Sequence, residues 1–231
     1  MSVSHSVSRS SSDRLHKMVV VAMLCALAYL CVFVFHFKVG FLTFDAKDAI
    51  LTLASFLYGP IAGIVASLIV SFVEFFTISD TGVYGFLMNF ASSAAFAGVA
   101  GLVYRYRHTI SGAILGLVAA IVSMTAVMMV LNLLITPYYM HCSMQDVVAL
   151  IPTLLLPFNL MKAVMNAALA YLLYRPVRSA LSASRLLPKT EHPVASRAVS
   201  VGAVAVALVL IVGVVFCYIF VLNGSFQLFR A

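Results

Sequence analysis

An amide, a lysine and a second amide recur at helical spacing in Asn159, Lys162 and Asn166, inside a stretch that is otherwise apolar. Offsets of three and four residues put all three side chains on one helix face. Amides offer paired donors and acceptors, and a lysine adds a point charge, so the triplet suits binding of a polar heterocycle rather than bond making. Ionisable groups within lipid-facing sequence are costly, so the position of Lys162 is itself a functional signal. Two readings stay open for it: an ion pair with Glu74, or a polar cluster facing a cavity. Pro157, just upstream, frees a backbone carbonyl one turn earlier. Asn132 stands alone in another apolar run. It is either glue between helices, which is worth about 0.6 kcal/mol in membranes, or a match for the imide-like edge of a heterocycle.

The elements that must hold these residues are set by composition. The 231 residues are 64% hydrophobic and only 9% charged, with a mean hydropathy of +1.12, so lipid is the main solvent. Crossings of about 20 residues leave no room for a separate catalytic domain. A serine-rich stretch, residues 1–16, reads as a disordered tail. Apolar runs follow at Met18 to Phe37, Ala49 to Leu57, Ile61 to Thr77, Val83 to Tyr104, Ser111 to Ile135 and Asp146 to Tyr174. Residues 17–178 therefore form a six-helix membrane domain. A basic linker spans 179–197, a seventh apolar run spans 198–222 and reads as a further transmembrane helix, and 223–231 is a short tail.

Charge sets the orientation. Arg9, Arg14, Lys17, Arg105, Arg107, Arg175, Arg178, Arg185, Lys189 and Arg197 fall on one side of the alternating runs. The positive-inside rule makes that side cytoplasmic, with the N-terminus, and turns the Gly40 to Asp48 loop outward. The net charge of +7 is thereby explained without nucleic acid. Tyr104, Tyr106, Tyr171 and Tyr174 read as interfacial anchors. Cys25, Cys31, Cys142 and Cys217 form no CxxC pair and read as small apolar residues without a metal. Neither a phosphate-binding GxxxxGK[ST] loop nor an HExxH or GxSxG motif is present. His141-Cys142 lacks a companion base, so enzyme chemistry is not expected. An embedded enzyme or a structural membrane protein are the alternatives of a different class.

Several segments, in order, carry a resemblance: Ala22-xxx-Ala26, Phe41-Leu-Thr-Phe-Asp-Ala-Lys-Asp48, Phe56-Leu-Tyr-Gly-Pro-Ile-Ala-Gly63, Asn132-Leu-Leu-Ile-Thr-Pro-Tyr-Tyr139 and Leu156-Pro-Phe-Asn-Leu-Met-Lys162. Over Lys17 to about Arg178 the chain resembles the substrate-binding S components of energy-coupling-factor (ECF) vitamin transporters, and most closely their riboflavin-specific group. The resemblance implies an all-α six-helix bundle in the bacterial cell membrane, with riboflavin as transported ligand and no cofactor. It further implies that Asn132, Asn159 and Lys162 contact the flavin, that Leu42, Thr43 and Phe44 close over it, and that Asn166 extends the same face. Ala22 and Ala26 would dock on a transmembrane T component, with two ATPase subunits supplying energy. FMN or another vitamin is the nearest alternative ligand, and Lys38 or Lys47 would then meet the phosphate. The run at 198–222 lies outside the six-helix pattern.

Overall fold

A computed structural model of the chain describes residues 4–34, 36–39, 42–79, 81–184 and 208. The first helix, α1, covers Ser4–Val34. It runs back through the serine-rich stretch expected to be disordered. Serine is only a moderate helix former, but a helix already nucleated by the apolar run propagates cheaply past it.

Two short strands follow, β1 (His36–Val39) and β2 (Leu42–Asp45), paired antiparallel with His36 opposite Asp45 and Val39 opposite Leu42. The sequence reading had only a polar loop here. Helix α2 (Lys47–Tyr58) is buried along almost its whole length, from Lys47 to Phe56. At about 1.5 Å per residue its 12 residues rise only about 18 Å, too little to cross alone. It fills the centre of the bundle instead, against α1, α3, α4 and α7. Gly59, at φ 94°, turns the chain sharply, and Pro60 opens α3 (Pro60–Thr77) at a position where its missing N–H costs nothing.

Helix α4 spans Gly82–Tyr106 and α5 spans Ile110–Met140. The α5 helix does not stop at Thr136-Pro137 as the sequence suggested. It continues one turn to His141, whose left-handed conformation (φ 51°) ends it. Ser143 and Asp146 form a reciprocal capping box that starts α6 (Met144–Leu150). Pro152 cannot donate to the ladder, and a π-helical turn over Ile151–Leu155 absorbs the fault before α7 (Leu156–Ala183).

Five segments are long and apolar enough to cross a membrane: Arg14–Val34, Pro60–Thr77, Gly82–Tyr106, Ile110–Met140 and Met144–Ala183. With α2 they make the six-helix, all-α membrane bundle. Small residues set its close contacts. A Cβ at Gly63 would collide with the Ser55 side chain, and one at Gly116 would meet the Ala100 carbonyl at 2.7 Å, so α3 packs closely on α2 and α5 lies against α4 at backbone range. Tyr104 is not an interfacial anchor: it is 4% exposed, packed on Phe56 and hydrogen-bonded to Tyr174 Oη at 2.7 Å. Tyr106, 81% exposed, fits the anchoring role. The linker beyond Ser184 and the run at 198–222, Leu208 excepted, lie outside the described residues.

Candidate functional site

Asp45, the last residue of β2, is buried between the start of α2 and the first half of α7. Lys162 Nζ reaches its Oδ2 at 2.8 Å and also donates to the Thr43 carbonyl at 3.1 Å. Asn166, one turn further along α7, donates Nδ2 to the Asp45 carbonyl at 2.9 Å and accepts the Ala49 N–H on Oδ1 at 2.8 Å. The hairpin is thus fastened to α7 through side chains and backbone together. Burial alone would push the Asp45 carboxyl up, but the charges of Lys162 and Lys47 outweigh it and hold the group below the ordinary aspartate range.

The partner of Lys162 is therefore Asp45 and not Glu74. Glu74 Oε2 instead takes Lys47 Nζ at 2.6 Å, with both side chains almost fully buried. This corrects the reading of Lys47 as an outer-loop cation open to a ligand phosphate. Asp48, likewise buried, accepts from Ser93 Oγ on Oδ1. A desolvated charge is tolerable only when paired, and the hairpin and α2 carry three charges inward where the sequence suggested an exposed polar loop. Asp48 Oδ2 and Glu74 Oε1 are buried without a hydrogen-bond partner.

Beside this network lies a cavity of about 590 Å³, its open mouth included. Leu42 and Thr43 of β2, Asn159 and Lys162 of α7, and Phe158 form one side. Thr81, Tyr84, Gly85, Met88, Asn89 and Ser92 of α4 and its entrance form the other, with Met128 and Tyr139 of α5. Phe44 does not line the cavity but packs edge-on against Phe158, with ring centroids 5.9 Å apart. Ser92 Oγ is buried without a protein partner on this wall.

The structure brings Leu42, Thr43, Asn159 and Lys162 together and sets Phe44, Asn132 and Asn166 apart from them. Asn132 is fully buried, gives Nδ2 to the Met128 carbonyl at 2.7 Å and accepts from Thr136 at 3.0 Å, all within α5. It does not line the cavity. Asn166 lies beneath the cavity and holds the hairpin. Asn159 donates Nδ2 to the Leu155 carbonyl at 2.8 Å while still lining the cavity. Sequence reasoning missed the α4 wall, although Asn89 sits in an apolar run just as Asn132 does. On the far face, Ala22 and Ala26 are both exposed on α1.

The cavity joins aromatic and methionine walls to several convergent polar groups, a combination that suits a small molecule. No group of histidine, cysteine and carboxylate able to hold a metal occurs among the described residues.

The sequence matches the family described as "ECF transporter, substrate-specific component" over residues 16–174. The "Riboflavin transporter RibU" of Staphylococcus aureus (strain TCH60) is 29% identical over 169 residues, which is 69% of this chain and 88% of that protein. A solved structure described as "Structure and mechanism of the S component of a bacterial ECF transporter" superposes with a TM-score of 0.62 at 29% identity, covering 73% of this chain and 98% of that one.

Proposed function

The chain belongs to the family of ECF transporter substrate-specific components, and from that premise we propose that its ligand is riboflavin. It is a membrane-embedded binding subunit and not an enzyme. The cavity under the hairpin supports the ligand assignment. Tyr84, Tyr139, Phe158, Met88 and Met128 offer flat and polarizable walls for a tricycle. Asn89 and Asn159 offer amides for its imide edge, and Thr43, Thr81, Ser92 and Lys162 suit the hydroxyls of a ribityl chain. The naming of the Staphylococcus relative as a riboflavin transporter points the same way.

In this reading the N-terminus is cytoplasmic, following the basic loops. The hairpin then faces outward, and Leu42 and Thr43 close over the captured vitamin. Asn159 and Lys162 touch the ligand directly; Asn166 and Phe44 act through the hairpin and Phe158. The role first assigned to Asn132 shifts to holding α5 together. Ala22 and Ala26, exposed on α1, contribute to docking on a T component, and two ATPase subunits energise uptake.

The observation that carries the proposal is the convergence of Thr43, Asn159 and Lys162 on one cavity beneath the hairpin. Protein made in riboflavin-containing medium and purified in detergent is expected to carry a bound yellow flavin. A colourless protein that also leaves the fluorescence of added riboflavin unquenched overturns it. Competition between riboflavin and FMN checks the alternative ligand, which has lost Lys47 as a phosphate partner to the pair with Glu74.

A further inference from the structure

We propose that Gly85 is a positioning residue for the ligand: the space it leaves lets Thr81 lay its side chain along the first turn of α4 and turn its hydroxyl to the cavity. Both residues line the cavity, at the N-terminal end of α4.

Backbone conformation does not call for glycine at this position. Among the described glycines only Gly59 and Gly82 have a positive φ, and in an ordinary helical turn alanine is the better residue. Packing between helices does not call for it either. A Cβ at Gly63, Gly98 or Gly101 would press on a neighbouring helix. At Gly85 it would collide with the Thr81 hydroxyl and lie 2.9 Å from Thr81 Cβ, with Ser79 Oγ next at 3.2 Å. The place that a side chain at 85 would take is therefore already held by Thr81.

Thr81 stands at the N-cap of α4, where a threonine hydroxyl ordinarily accepts a backbone N–H of the first turn. It makes no such bond here. It lies 3.4 Å from Ser79 Oγ, a long contact that leaves the hydroxyl capacity for a further partner. Ser92, about 16 Å further along α4, is 4% exposed, lines the same cavity and has no protein partner for its hydroxyl. The α4 wall thus holds hydroxyls for a ligand at both of its ends.

The inference rests on the reading of this cavity as the riboflavin site, and its consequence is a split between binding and stability. Flavin titration and thermal unfolding in detergent test it. Gly85→Ala is expected to weaken riboflavin binding about three- to tenfold, the size of one lost hydrogen bond, without lowering the unfolding temperature. Thr81→Ala should weaken binding as much, and the double variant no further, because the two residues act through one hydroxyl. Losses that multiply would mean that residue 85 meets the ligand itself. Unchanged affinity, or a lowered unfolding temperature in Gly85→Ala, would mean that the glycine serves the helix alone. Each of these results overturns the proposal. A second measurement needs no flavin. Thr81→Cys, in a chain whose native cysteines are replaced by alanine, is expected to react several-fold faster with a water-soluble maleimide when residue 85 is alanine, because the thiol is pushed off the helix. Equal rates overturn the positioning role even if riboflavin binds. Faster labelling in a protein that binds no riboflavin supports the positioning role and removes only the ligand.

Discussion

At the hairpin end of the bundle, Asp45, Lys47, Glu74 and Lys162 meet out of water as two ion pairs. At the opposite end of α2, Phe56, Tyr104 and Tyr174 pack as an aromatic cluster, and Arg178 donates to Tyr174 Oη at 2.6 Å. The aromatic end joins continuous helices that lipid already forces together, so area and a hydroxyl pair suffice. The charged end holds a short two-stranded element whose Leu42 and Phe44 join an apolar cluster with Phe158. Directional contacts from Lys162 and Asn166 of α7 add to that, while Glu74 of α3 fixes the start of α2 through Lys47. Strong pairing appears where the chain leaves regular helix packing, which is also where the cavity lies.

The largest effect should come from breaking an ion pair on one side. Lys47→Met leaves Glu74 charged and buried, and is expected to destabilise the protein by about 3 to 5 kcal/mol, read as a lowered unfolding temperature in detergent. Adding Glu74→Gln should recover much of that loss. If the double variant is as unstable as the single one, the pair is not the source of the strength at this end.

Lys162→Met should be nearly as costly to stability and should also weaken riboflavin binding. Pairing it with Asp45→Asn should restore stability without restoring affinity, because Lys162 lines the cavity and Asp45 is absent from its lining. Recovery of both by the double variant would make the lysine purely structural. Next in size, Asn159→Ala and Asn166→Ala should each cost about 1 to 3 kcal/mol through unpaired buried groups. The first is expected to appear mainly in affinity and the second mainly in stability; titration by flavin fluorescence and thermal unfolding separate them. Smaller again, Tyr104→Phe removes one hydroxyl partner at the aromatic end and should cost about 0.5 to 1.5 kcal/mol with affinity unchanged. Asn132→Leu should be the mildest, near the roughly 0.6 kcal/mol of an average membrane hydrogen bond.

The sequence made the six helices and the α7 face legible, because lipid leaves polar groups few places to be. Lys162, Asn159 and Asn166 were visible as exceptions to an apolar background. Two things were hidden. Charged residues in a polar interruption look solvated, so Asp45, Lys47 and Asp48 read as outer-loop groups. Their burial depends on partners such as Glu74 and Lys162, which lie 27 and 117 residues away from Lys47 and Asp45, respectively. The α4 wall was hidden for a different reason: serine, tyrosine and methionine occur in any membrane helix, and only the fold shows which face a cavity. Asn132 shows the converse, a visible exception that the helix satisfies by itself.

The way the hairpin is tied down determines how a vitamin could pass it. Its base is held at Asp45 by Lys162 and Asn166, and at Thr43 by Lys162 again. Lifting the whole hairpin would expose Lys162 and Asp45 without each other. Any route that admits a ligand past the hairpin therefore has to keep these contacts or replace them, because Lys162 or Asp45 left alone would be a buried, unpaired charge.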